Sequence, residues 1–153
     1  MKIKNNTIIS ANWTAKIFRV DGEVEEKVFH NLVVDSGMDF LAEYLSSTPG
    51  SAQNYIAVGT GSEVSSLGTI ALVGESVRNA MATQLSSKNV WITTATFAGN
   101  TDGITSVALT EAAVFNASSG FNCFQRVNGV LATLGASDFL HLTIETTIGS
   151  RSS

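Results

Sequence analysis

The sequence predicts a mainly β protein, an antiparallel β-sandwich or jelly roll with one short α-helix at about residues 36–47. Three observations carry this. Short runs rich in β-branched residues are separated by Gly/Ser/Asn/Asp turn signals. The last run alternates cleanly, with Leu140, Leu142, Ile144 and Ile148 on one side and His141, Thr143, Glu145 and Thr147 on the other. The single proline, Pro49, lies outside every predicted strand.

Residues 1–11 are polar and read as an amino-terminal arm or a leading edge strand; residues 12–149 form one sandwich domain and 150–153 a tail. Trp13, Ala15, Ile17 and Phe18 lead into Asp21-Gly22, a hairpin signal because glycine tolerates the positive φ of such turns. The return strand is expected over 23–30, with Val24, Val28 and Phe29 supplying its apolar contacts. The period then changes. Met38, Phe40, Leu41, Tyr44 and Leu45 recur at helical spacing, Ser36 caps, Asp39 stands three residues on, and Pro49-Gly50 stops the helix. Tyr55-Ile56-Ala57-Val58 is a short buried strand ending at Gly59-Thr60-Gly61, and a Ser/Gly-rich connection follows. Further strands are expected at 78–86, 90–98, 104–115, 121–127 and 139–148, divided by turns at 87–89, 99–103, 118–120 and 135–137.

Composition narrows the function. Of 153 residues, 44% are hydrophobic and 14% charged, well below the roughly 25% charge usual in soluble domains. Disorder is excluded, since disordered chains combine low hydrophobicity with high net charge. A net charge of −4 argues against a nucleic-acid partner. No apolar run approaches a membrane span, and Met1-Lys2-Ile3-Lys4 lacks the apolar stretch of a signal peptide. Cys123, the only cysteine, excludes a disulfide framework. Residues 31–76 hold the acids Asp35, Asp39, Glu43, Glu63 and Glu75 with no Lys or Arg, which reads as a solvated face before a docking site for a basic partner.

Catalytic chemistry finds little support. His30 and His141 are the only histidines to serve as a base, and each reads as a surface or edge residue. Gly59-Thr60-Gly61-Ser62 lacks both the Gly-Lys-Ser/Thr of a phosphate loop and the nucleophile-elbow pattern, so a structural turn is preferred. No metal spacing is present, and 100–103 reads as a turn before a weak calcium site, so no cofactor is expected. Glu75 and Glu111 are the candidate carboxylates for glycan hydrolysis. Each stands beside apolar residues, where an ion pair with Arg78 or Arg126 is the simpler use. Trp13, Trp91, Tyr44 and Tyr55 could stack on sugars, but their scatter favours core packing or an interface.

Four segments then stand out in order: Asn31-Leu32-Val33-Val34-Asp35-Ser36-Gly37-Met38-Asp39-Phe40-Leu41-Ala42, Tyr55-Ile56-Ala57-Val58-Gly59-Thr60-Gly61, Leu72-Val73-Gly74-Glu75-Ser76-Val77-Arg78 and Glu111-Ala112-Ala113-Val114-Phe115-Asn116. With these segments the chain resembles small tailed-bacteriophage virion proteins, found as capsid decoration (cement) proteins and as tail or fibre modules, and the resemblance covers about residues 12–148. The resemblance implies a jelly-roll β-sandwich, a non-enzymatic role, and a homo-oligomer, trimer favoured, seated on the major capsid protein of a virion assembled in the bacterial cytoplasm. A tail, neck or fibre-associated adaptor or a host-glycan-binding module is the alternative. The motifs look architectural, with Glu75, Arg78, Glu111 and Arg126 expected as structural ion pairs. An arm bearing Lys2, Lys4 and Trp13 is expected to contact a partner, adding a strand to a neighbour's sheet edge. A surface of few charges and many hydroxyls suits such contacts.

Overall fold

In a computed structural model, the residues described are 7–33, 35, 37–39, 54–87, 89–120 and 122–150. They form an antiparallel β-sandwich of ten strands: β1 (Thr7–Phe18), β2 (Val24–His30), β3 (Leu32–Val33), β4 (Tyr55–Gly59), β5 (Glu75–Ala80), β6 (Ala82–Ser87), β7 (Val90–Ala98), β8 (Ala108–Phe115), β9 (Cys123–Thr133) and β10 (Phe139–Ser150). The first sheet has the order β2-β1-β10-β7-β6 and the second β3-β9-β8-β4-β5. Early strands pair with late ones, β1 with β10, β3 with β9 and β4 with β8, which is the rolled pairing of the jelly-roll class.

The Asp21-Gly22 hairpin forms where expected. Gly22 takes φ +89°, Arg19 N–H donates to Glu23 O at 2.8 Å, and Asp21 Oδ1 accepts the Glu23 N–H at 3.0 Å. Thr7–Ala11, read as part of an arm or leading edge strand, pair with Thr146–Ser150 as the first part of β1. Residues 35 and 37–39 are helical; the rest of the helix expected over 36–47 lies outside the described residues.

Strand parity corrects the return strand. Trp13, Ala15 and Ile17 face the core, and the register Trp13↔Phe29, Ala15↔Lys27 and Ile17↔Glu25 turns those β2 residues inward. Phe29 packs against the core as expected, but Val24 and Val28 project outward and are 54% and 58% exposed. The run expected over 78–86 is two strands. β5 belongs to the second sheet and β6 to the first, with Met81 between them packed against the core and its N–H held by Asn54 O at 2.8 Å. The strand expected from residue 104 begins at Ala108, because Ile104 N–H closes the 99–103 turn on Gly99 O at 2.9 Å and Ser106 has φ +61°. β9 continues past the expected end at 127 as far as Thr133.

Two apolar clusters result. Between the sheets, Trp13, Ile17, Phe97, Leu140, Leu142 and Ile144 meet Ile56, Val58, Val114, Phe124, Val127 and Leu131. The neighbours of these residues along β4 and β8 point to the other side of the second sheet. There Ala57, Ala113, Phe115 and Cys123 form a separate buried cluster with Leu72 from the 60–74 connection. The sandwich therefore has a third layer, a loop roof over the outer face of its second sheet.

Candidate functional site

One side chain gathers both ends of the roof. Glu111, on the roof side of β8, is fully buried, and its two oxygens accept three backbone N–H bonds. Gly61 and Gly74 donate to Oε1 at 2.9 and 2.7 Å, and Val73 donates to Oε2 at 3.0 Å. Arg126 of β9, also buried, donates from Nη2 to Oε2 at 2.7 Å. Both ends of the roof loop are thus tied to one carboxylate. A side chain on Gly61 has no room, since a Cβ there would lie 2.5 Å from Glu111 Oε1. Burial alone would push the Glu111 pKa up, but the Gly74 and Val73 N–H groups, Arg126 and the Gly61 N–H outweigh it and hold it below its ordinary value.

The middle of the roof is tied to β9 instead. Ile70 O accepts the N–H groups of Asn122 at 2.8 Å and Cys123 at 3.0 Å, while the Cys123 thiol reaches Thr69 O at 3.4 Å. Burial pushes that thiol's pKa up to about 11, which makes it a poor nucleophile. A second arginine locks the adjacent turn. Arg78 pairs with Glu75 at 2.6 Å, donates to Ala117 O at 2.9 Å and Gly120 O at 3.0 Å, and lies 3.7 Å from the centroid of Phe115. The four residues named as ion-pair candidates thus form two separate pairs, Glu75–Arg78 and Glu111–Arg126.

A third arginine had no signal in the sequence beyond the turn around it. Arg19 donates to Glu25 at 2.6 Å, to Asp138 at 2.7 Å and to Thr133 O at 2.8 Å. Asp138 also accepts the N–H groups of Val20 and Gly135, so the β1–β2 hairpin is fastened to the turn before β10. The Arg19 hydrogen bond, then the Gly135 N–H, hold the Asp138 pKa below its ordinary value.

Other expected positions fall elsewhere. Trp13 has no exposed surface, so it is a core residue and not part of a partner-contacting arm. Lys2 and Lys4 lie outside the described residues. Trp91 is half-buried and stacks obliquely on Phe124 with centroids 6.5 Å apart. His30 is exposed and bonds Asn12 at 2.9 Å; His141 bonds Thr96 at 2.9 Å. Asp102 accepts the Ala98 N–H at 2.6 Å within its turn. Among the described residues no group of three His, Cys, Asp or Glu side chains is placed to hold a metal ion.

The outer face of the first sheet has a different make-up. Cross-strand register aligns Val24, Phe18 and Phe139 in one row, all about half exposed, with Val20 78% exposed beside them. The next row is Glu26, Lys16, His141 and Thr96, with Lys16 and Glu26 paired at 3.2 Å. The third is Val28, Thr14, Thr143 and Thr94. This face has an apolar end, a charged row beside it, and then a row of threonines flanked by exposed Val28.

Fold and geometry together define the class, an antiparallel β-sandwich with one outer face roofed and the other open among the described residues. No family model, curated protein or solved structure matches the chain.

Proposed function

We propose that this chain is a non-enzymatic bacteriophage virion structural protein, a capsid decoration protein that binds the major capsid protein on the outer surface of the shell and stabilises it as a homo-oligomer. The observation that carries the reading is where the four resembling segments go. The 55–61 segment supplies Gly61, the 72–78 segment Val73, Gly74 and the Glu75–Arg78 pair, and the 111–116 segment Glu111. From the 31–42 segment, Asp35 N–H binds Leu67 O of the roof at 2.8 Å, and Asn31 bonds Gln125. The polar side chains of these segments are engaged within the fold, Glu111 at the roof and Arg78 at the turn after β8. The first sheet's outer face is apolar at one end, which suits protein contact, and the roof adds exposed Val64, Leu67, Ile70 and Val73. Many weak contacts repeated over a shell add to its stability through mass action and multivalency.

Quantitative mass spectrometry of purified particles tests this. Hundreds of copies per particle, with lower heat resistance of particles lacking the protein, are expected. A handful of copies would transfer the protein to the tail or neck, and none would overturn the virion reading. Phe18→Ser with Phe139→Ser should reduce occupancy on particles at least tenfold while the purified chain stays folded.

A further inference from the structure

We infer that two copies of this chain join through the free edge of β2, antiparallel and centred on Glu26, making one continuous sheet of their first sheets. The inference rests on the proposed reading only in that a homo-oligomer is required; its geometry comes from β2 itself. Among the described residues β2 pairs with β1 alone. The Arg19 N–H to Glu23 O bond at one end and the Asn31 N–H to Ala11 O bond at the other fix the ladder's phase. By antiparallel alternation, Glu25, Lys27 and Phe29 direct their backbone groups to β1, and Val24, Glu26, Val28 and His30 direct theirs to the open edge. An edge of this kind is a template for another strand.

The side chains select the strand. Residues 24–28 read Val-Glu-Glu-Lys-Val, which is nearly complementary to itself when reversed. Centred on Glu26, self-pairing sets Val24 against Val28 on the outer face and Glu25 against Lys27 on the inner face, each twice by symmetry. Lys27 then gains a carboxylate; within one chain its ammonium reaches only Val130 O, at 3.4 Å, among the described residues. Centring on Glu25 or on Lys27 would oppose like charges, and centring on Val28 would set Lys27 against Phe29. The like-charged Glu26 pair at the axis is offset by Lys16, 3.2 Å from each Glu26 carboxylate. Edge charges such as Lys27 also serve elsewhere to prevent pairing. Here the opposite charge two residues away turns that deterrent into a selector of register.

Cross-linking the full chain tests the register. Hydrogen-bonded residues facing each other in an antiparallel pair have Cα atoms about 5.5 Å apart, within disulfide range. Glu26→Cys should therefore give an oxidised dimer, whereas Lys27→Cys and Val28→Cys should not; the buried Cys123 thiol does not compete. In sedimentation equilibrium the unmodified chain should show twice the chain mass. Lys27→Glu should show the single-chain mass with an unchanged thermal midpoint, and Glu26→Gln should associate at least as tightly as the parent. A monomer throughout, or cross-linking through Lys27→Cys or Val28→Cys in place of Glu26→Cys, overturns the inference. A trimer without the Glu26→Cys cross-link also overturns it, while leaving the decoration reading standing. A cross-linked pair that never appears on particles does the reverse.

Discussion

The two outer faces of the sandwich present the same physical problem and meet it differently. On the second sheet, Ala57, Ala113, Phe115 and Cys123 are covered by the chain's own 60–74 loop, which has to bring its backbone N–H groups over buried surface. Three of those donors are satisfied by Glu111, and Glu111 in turn is balanced by Arg126. On the first sheet nothing among the described residues covers Phe18, Val24 and Phe139, and their neighbours are hydroxyls and the exposed Lys16–Glu26 pair. A roof made by the chain itself requires a buried charge to hold it. The face left open among the described residues carries threonines and an exposed ion pair that tolerate water. The buried pair therefore marks the face that the chain covers itself, and the open row marks the face we propose for a partner.

Substitutions at the clamp should separate the two faces most strongly. Glu111→Ala leaves Arg126 buried without its counter-charge and three N–H groups without an acceptor; urea unfolding should show a loss of about 3–5 kcal/mol. A loss no larger than that of an exposed substitution would mean the roof is not held by this carboxylate. Gly61→Ala pushes a methyl group toward Glu111 and should cost about 1–3 kcal/mol, with the roof amides of Val73 and Gly74 exchanging faster with deuterium.

Acid should act on the clamp in the same direction. Glu111 and Asp138 both titrate below their ordinary values in the folded chain. Their stabilisation is therefore complete above the unfolded carboxylate pKa of about 4 and is lost as pH falls through the depressed native values. Urea midpoints measured from about pH 6 down to pH 2 should drop across that window, and Glu111→Gln should drop less than the parent. A variant with an unchanged acid slope would remove Glu111 from the account. The smallest effect belongs to the open face. Phe18→Ser, already 42% exposed in the parent, should stay within about 0.5–1 kcal/mol of it in the same assay while weakening particle binding.

Much of the fold was legible in the sequence because its signals are local. The Asp21-Gly22 turn needs only two residues and a positive φ, and the alternation of β10 appears within one run, with Leu140, Leu142 and Ile144 buried as read. Two departures from the expected strands have separate causes. Val24 and Val28 are apolar and are expected to supply contacts of the return strand, yet β2 takes its facing from its register with β1, which no property of β2 alone reveals. Met81 offers no turn signal, so the change of sheet between β5 and β6 reads as one strand. The candidate site was legible by composition only. Glu111 stood out as a carboxylate among alanines and Arg126 as one of two arginines able to neutralise it, but the three N–H donors from the distant loop left no mark in sequence.

Sequence by itself determined a sandwich of few charges, a hairpin at Gly22, and a set of glycines, glutamates and arginines suited to architecture more than to chemistry. These follow from turn geometry, side-chain period and composition, all properties of neighbouring residues. Only the tertiary structure decided which glutamate met which arginine, which outer face was roofed, and which valines of β2 faced the solvent. Those outcomes depend on register and on the approach of segments far apart in the chain, such as Gly61 to Glu111 at 2.9 Å. A shift of one residue in a strand reverses every side chain on it, so facing is a property of the pair and not of the strand.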